Sequence, residues 1–226
     1  MQFPEWEPAY EAVLRDFGYD RAGDEAAREE LATLVSDFDV SRLDATGQTV
    51  AVVGAAPCLA DELADVERAD RVFAASTAAD VCREHGIAVD VHVTDLDKNP
   101  GTSRALTREG TPVAAHAHGD NRDLVADWIP EFDDDHVLGT TQARPVDGVH
   151  NFGGFTDGDR AAFLADHVGA ESLVFAGWDF TNAPSETKRH KLRWAARLLS
   201  WLERRRDETY EVLDGYRDTD WLDALD

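Results

Sequence analysis

The sequence predicts an α/β fold: an open, mostly parallel sheet of about six strands with helices on both faces, a helical N-terminal preface and a long C-terminal helix. Three observations predict it. Thr49-Val50-Ala51-Val52-Val53-Gly54 is an almost continuously apolar run, the pattern of a strand buried on both faces of a parallel sheet. From there, short apolar or β-branched runs alternate with segments of helical period, the succession that builds strand-helix-strand units. Both ends of the chain carry apolar residues at helical spacing, outside that alternation.

Taken in order, residues 1–45 form the preface: one helix carries Trp6, Tyr10, Val13, Leu14 and Phe17, and a second runs from Asp24 as its N-cap through Leu31, Leu34 and Val35. The α/β core is expected to span 49–202. After the first strand, further strands are expected at Val72 to Ala75, Val91 to Thr94, Pro112 to His116, His136 to Leu138 and Ser172 to Ala176. Between them lie helices at Leu59 to Val66, Ala78 to His85, Thr102 to Glu109, Arg122 to Trp128 and Asp159 to Val168. A long helix from Ser185 carries Leu192, Ala195, Leu198, Leu199 and Leu202, and residues 203–226 read as an acidic helical tail. No repeat or low-complexity linker divides the chain, so 1–226 is expected to be one domain.

Charge excludes some partners. The 46 acidic residues against 22 basic give a formal net charge of −24, spread along the chain, which makes nucleic acid an unlikely ligand. Such a surplus is tolerated where salt screens it, a halophilic trait, and lysine is nearly absent: only Lys98, Lys188 and Lys191 occur. Cys58 and Cys82 lack metal-type spacing and are too few for a disulfide framework, which points to a reducing cytoplasm. The N-terminus has no signal-peptide pattern, and no apolar run approaches the ~20 residues of a membrane span. Self-association into a homo-oligomer is left open.

The chemistry centres on Val91-His92-Val93-Thr94-Asp95-Leu96-Asp97-Lys98-Asn99-Pro100, a strand running into a turn. If the backbone stays extended, Asp95 and Asp97 face one spot, their Cα atoms roughly 6.6 Å apart. Two carboxylates at about 6 Å repel by roughly 3 kcal/mol at an effective dielectric of 20, and a divalent cation between them reverses that cost. Mg²⁺, which keeps waters and phosphate oxygens among its ligands, fits such a pair; the alternative is a solvated acidic loop.

In open parallel sheets, ligands bind beyond the carboxyl ends of the strands, so the residues that follow each strand matter most. Gly54-Ala55-Ala56-Pro57 permits a tight turn before a helix N-terminus, or is simply a strand-to-helix connection. In His116-Ala117-His118-Gly119-Asp120-Asn121 the two imidazoles share a direction, but with no third soft ligand nearby, hydrogen bonding to substrate or structure is favoured over zinc. Gly139-Thr140-Thr141-Gln142 reads as a polar loop. In Asn151-Phe152-Gly153-Gly154-Phe155-Thr156-Asp157-Gly158-Asp159-Arg160 the glycines permit close approach, Thr156 or Asp157 caps a helix, and Asp157, Asp159 and Arg160 crowd an apolar neighbourhood, which points to a polar site. Gly177-Trp178-Asp179-Phe180 adds a carboxylate between aromatics. Keeping lysine only at 98, 188 and 191 suggests point charges for phosphate.

Together these stretches resemble the archaeal 6-hydroxymethyl-7,8-dihydropterin pyrophosphokinase family, over Thr49 to about Leu202, and beyond it the catalytic domain of thiamin pyrophosphokinases. The resemblance implies Mg²⁺-dependent diphosphate transfer from ATP to the pterin hydroxymethyl group, releasing AMP, in folate or methanopterin biosynthesis. It assigns Asp95, Asp97, Asp157, Asp159 and Arg160 to catalysis, with Asp95, Asp97 and Asp157 holding the cation directly or standing just behind the groups that do. Gly54, Lys98, Gly153, Gly154, Thr156, Lys188 and Lys191 would hold the nucleotide. His116, His118, Asp120, Asn121, Thr140, Gln142 and Asp179 would face the pterin. Two departures stand out: the family has Gly-x-Gly-Pro-Ser where this chain has Gly54-Ala55-Ala56-Pro57-Cys58, and Ala-Asp-Gly-Ala at Ala75-Ser76-Thr77-Ala78. A sugar-nucleotide glycosyltransferase, which also uses Asp-x-Asp, and a non-catalytic nucleotide-binding module are the rival readings.

Overall fold

A computed structural model describes residues 1–222. Two helices, α1 (Phe3–Phe17) and α2 (Arg21–Ala32), lead into β1 (Thr49–Val53). There follow α3 (Leu59–Val66), β2 (Arg71–Ala75), α4 (Ala78–Glu84), β3 (Val91–Thr94), α5 (Pro100–Arg108), β4 (Val113–Ala117), α6 (Arg122–Trp128), β5 (Val137–Thr141) and β6 (Val149–His150). The chain ends with α7 (Asp157–His167), β7 (Ser172–Ala176) and α8 (Glu186–Arg206). The strands form one parallel sheet in the order β6-β5-β4-β3-β2-β1-β7. From β1 the chain steps outward to β6, then returns across the sheet through α7 to lay β7 on the free side of β1. Side β2 and side β7 of β1 therefore diverge at its carboxyl end, where such sheets open a crevice.

Alternation along the strands sorts the core into two layers. Val50, Val52, Phe73, Val91, Val93, Ala114 and Leu138 pack under α1, α7 and α8. Ala51, Val53, Val72, Ala74, Val113, Ala115 and Val137 face α2 to α6. Both faces of the sheet are thereby covered, which is why the strands read as unbroken apolar runs. The preface belongs to these same layers: the Trp6 indole donates to the Gln142 carbonyl at 2.8 Å.

Several elements differ from expectation. The sheet has seven strands; β6 is too short and too polar in its surroundings to show a period. The second helix starts after Asp20, whose side chain accepts from Ala22 N at 3.2 Å, so Asp24 lies inside it and Leu34 and Val35 fall beyond its end. Gly139, Thr140 and Thr141 are not a loop: they complete β5 and are buried. Pro100 opens α5, a position that needs no N–H donor. Among the described residues the tail carries no α-helix beyond α8, which is capped by Asp207 in left-handed backbone (φ +54°); a 3-10 turn at Glu211–Leu213 follows. It is anchored instead by buried Tyr210 and Leu213 and by Arg217 on Glu203 at 2.9 Å, and residues 223–226 of the expected tail lie outside those described.

Candidate active site

β3 hands over to a turn, and the turn, rather than extended backbone, brings the two carboxylates together. Leu96 is fully buried in left-handed conformation (φ +68°), with its N–H on Thr94 Oγ1 at 3.0 Å. Asp95 Oδ1 accepts from Asp97 N at 3.2 Å, which folds the second aspartate back on the first. His118 at the exit of β4 brings Nε2 to 3.7 Å from Asp95 Oδ2. Its Nδ1 accepts from Asp120 N at 3.3 Å, leaving the ring proton on the nitrogen that faces Asp95. Burial pushes the Asp95 carboxyl up, but His118, Arg160 and Asp97 together hold it well below the usual range. Asp97 moves the other way, raised by burial and by the adjacent Asp95. The turn thus concentrates negative charge that the protein balances only in part.

The N-terminus of α7 reaches the same place. Asp157, its first residue, meets Arg160 Nη1 at 3.0 Å, and the two side chains are only 11% and 8% exposed. Burial, reinforced by Asp95 and opposed by Arg160, pushes the Asp157 carboxyl up to about 7. Asp159 closes the helix instead of joining the site: its oxygens accept Phe155 N at 2.5 Å, Thr156 N at 3.0 Å and the Thr156 hydroxyl. The glycines before it are structural too. A Cβ on Gly154 would stand 2.6 Å from Arg160 Cα, so the segment is seated on its own helix.

Asp95, Asp97, His118, Asp157 and Arg160 line a cavity of about 790 Å³ across the carboxyl ends of β1 to β5 and β7. Lys98, Lys188 and Lys191 line it, as do Gly54, Thr156, Asp157, Arg160, His118, Asp120, Gln142, Trp178 and Asp179. Loss of water around Lys188, then the nearness of Lys98, lowers its ammonium although the side chain is exposed to the open cleft. Asp179 is on the wall, with its oxygens accepting from Thr181 N at 2.8 Å and from Asn182 N and Nδ2 at 3.0 and 2.8 Å.

Other expected site residues stand behind the wall. His116 is buried and kept neutral by burial; its Nδ1 meets Thr140 Oγ1 at 3.1 Å, and Thr140 donates on to Ala115 O at 3.2 Å. Asn121 donates to the carbonyls of Asp95 and His116, both at 2.7 Å, and accepts His118 N at 2.9 Å, locking the exits of β3 and β4 together. Gly153, Gly154 and Asp159 likewise do not reach the cavity.

Asp24 is the residue that sequence reasoning missed. Buried on α2, it accepts from Tyr10 Oη at 2.8 Å, Gln142 Nε2 at 2.7 Å and Gly119 N at 2.8 Å, and it lines the cavity. Gln142 is thereby turned so that its Oε1 faces Arg160 Nη2 at 3.5 Å. A signal existed: Asp24, Ala27, Arg28 and Leu31 share the buried stripe of α2, and a carboxylate on an apolar stripe needs a reason.

The family described as 6-hydroxymethylpterin diphosphokinase MptE-like matches residues 25–184. The chain belongs to this family. Among curated relatives, the 6-hydroxymethyl-7,8-dihydropterin pyrophosphokinase of Pyrococcus furiosus is 38% identical over 90% of this chain and 95% of its own length. That of Methanothermobacter thermautotrophicus is 35% identical over 93% and 99%, and that of Methanocaldococcus jannaschii 29% over 90% and 96%. The span matched by the MptE-like family contains the Asp95–Asp97 turn, the His118 segment and the start of α7, while Asp24, Lys188 and Lys191 lie outside it. Among the described residues no helix is long and apolar enough to cross a membrane.

In this MptE-like chain, no three or more His, Cys, Asp or Glu among the described residues form a protein-only metal cage. Of the three aspartates expected at the cation, Asp157 is held by Arg160. What remains, two mutually repelling carboxylates on one turn, suits a cation that takes its other ligands from water and phosphate.

Proposed function

We propose that the protein transfers diphosphate from ATP to the hydroxymethyl group of 6-hydroxymethyl-7,8-dihydropterin, releasing AMP. The observation that carries this reading is the meeting, in one cavity, of the repelling Asp95–Asp97 pair with Lys98, Lys188 and Lys191; the activity for which the relatives are named supports it. The substrate hydroxyl oxygen forms a bond to the β-phosphorus, the bridge from the β-phosphorus to the α-phosphate oxygen breaks, and that oxygen leaves with AMP. Phosphoryl chemistry asks the protein mainly for position and charge. Asp95 and Asp97 would hold Mg²⁺, with Asp157 behind them, and a bound Mg²⁺ would neutralise polyphosphate charge. The three lysines place further positive charge around the same oxygens. His118 fixes Asp95, and Asp157, whose carboxyl burial pushes up to about 7, would take up the hydroxyl proton. The product would feed folate or methanopterin assembly.

Chromatography of nucleotides after incubation with ATP, Mg²⁺ and the pterin tests this. AMP as the initial product, formed only with acceptor, is the expected outcome. ADP as the initial product marks a simple kinase; nucleoside diphosphate released from a sugar donor, with ATP untouched, marks a glycosyltransferase. Binding without any turnover leaves a nucleotide-binding module.

A further inference from the structure

Ser76, the residue after β2, combines three features that no assigned role explains. It is 8% exposed, its Oγ has no hydrogen-bond partner among the described residues, and it lines the cavity. Its backbone is left-handed (φ +52°), a conformation that favours glycine over serine. A buried network nonetheless fixes it there. The Ser76 carbonyl accepts from His92 Nε2 at 3.1 Å and from Asn99 Nδ2 at 3.3 Å, and its N–H donates to Val93 O at 2.9 Å. Ser103 Oγ meets His92 Nδ1 at 3.3 Å, and Asn99 also donates to Asp80 at 2.7 Å, so both donors are themselves held.

A strained backbone and an unpartnered buried hydroxyl each cost stability, and together they mark a group retained for binding. The register, with Ala75 beside Val93, puts Ser76 next to Thr94, one residue from Asp95, and β2 lies between the Gly54 turn after β1 and the Asp95–Asp97 turn after β3. Lys98 lines the same cavity. Resting on the function proposed above, we propose that the Ser76 hydroxyl donates a hydrogen bond to a non-bridging phosphate oxygen of the nucleotide's polyphosphate. It is a binding residue specific to the donor substrate and makes no contact with the pterin.

Ser76→Gly separates this from a structural role, because it relieves the left-handed strain while removing the hydroxyl. The variant should melt higher than the wild-type protein, yet bind inorganic tripolyphosphate with Mg²⁺ at least fivefold more weakly by calorimetry. KM for ATP should rise by a similar factor, with KM for the pterin within twofold. Ser76→Ala should show the same loss of affinity without the gain in melting temperature. Unchanged tripolyphosphate affinity in both variants, or a loss confined to the pterin, overturns the assignment. If the wild-type protein binds tripolyphosphate but never consumes ATP with the pterin, the proposed reaction fails while the calorimetry still decides Ser76. If it binds no polyphosphate, both fall.

Discussion

At the scale of single residues, Asp95 and Asp97 share one turn but have opposite energetics, and this separates their variants. Asp97 is raised by burial and by the charge beside it, so Asp97→Asn removes a desolvation cost and a repulsion and should leave the melting temperature unchanged or slightly higher. Asp95 is held below its usual range with His118 and Arg160 as partners, so Asp95→Asn should lower it. Both should cut turnover by roughly 10- to 100-fold or more and weaken its Mg²⁺ dependence, as expected when charge at a cation site is lost. Normal turnover in both variants would return the pair to a solvated loop. His92 gives a second residue-level prediction. Fully buried beneath Ser76, it is lowered by burial to about 4 from an ordinary value near 6.5. Its folded value is depressed, so the unfolded chain takes up the proton first and stability is lost as pH falls. The loss runs from about pH 6.5 to about pH 4 and amounts to about 3 kcal/mol at roughly 1.4 kcal/mol per unit. Denaturant unfolding at pH 7 and pH 4.5 should show His92→Gln with a clearly shallower decline than the wild-type protein; equal declines would mean that His92 is protonated without cost.

At the scale of elements, the start of α7 shows why glycines can be misread. Gly154 and Gly47 both have positive φ, +93° and +73°, but a Cβ on Gly47 meets nothing within 4 Å, whereas on Gly154 it meets the Arg160 backbone at 2.6 to 2.7 Å. Gly47→Ala should therefore cost about 1 kcal/mol from conformation alone, and Gly154→Ala about 3 kcal/mol or more, displacing Arg160 from Asp157. Comparable melting temperatures for the two variants would show that the α7 entry yields easily. In the sequence, the Gly153-Gly154 pair reads as a place where a ligand's phosphate comes close. What comes close is the helix's own backbone, a tertiary fact with no local signature. The same limit hid the roles of Thr140, His116 and Asn121. Their polarity was visible, but whether a polar side chain at a strand end faces the cavity or the neighbouring strand depends on where the strand stops, and β4 and β5 each run further than their apolar residues indicate. The strand-helix alternation was legible because both faces of the sheet are covered. The Asp95–Asp97 turn was legible as a place but not as a geometry, since the left-handed Leu96 that brings the carboxylates together is an apolar residue no turn rule selects. Asp24 was visible in the periodicity of α2 once its true start at Asp20 is known.

At the scale of the whole molecule, charge sets the conditions under which all of this is stable. Many arginines already have carboxylate partners, among them Arg21 with Glu7, Arg83 with Glu109, Arg122 with Glu30 and Arg197 with Asp218. Pairs of this exposed kind contribute little, about 0 to 1 kcal/mol each, so screening them costs little. The net charge of −24 is a different term, because it is repulsion that every surface carboxylate feels from many others and that unfolding relieves. The screening length falls from about 10 Å at 0.1 M salt to about 3 Å at 1 M, shorter than the spacing of most surface charges. Added KCl or NaCl should therefore weaken the repulsion far more than it weakens the ion pairs. The melting temperature should climb steeply between low salt and about 1 M and then level off, with a non-ionic solute such as sucrose producing a smaller and more gradual rise. A melting temperature that stays flat or drops over that range would show that the acidic surplus is not limiting stability, and would remove the halophilic reading of this composition.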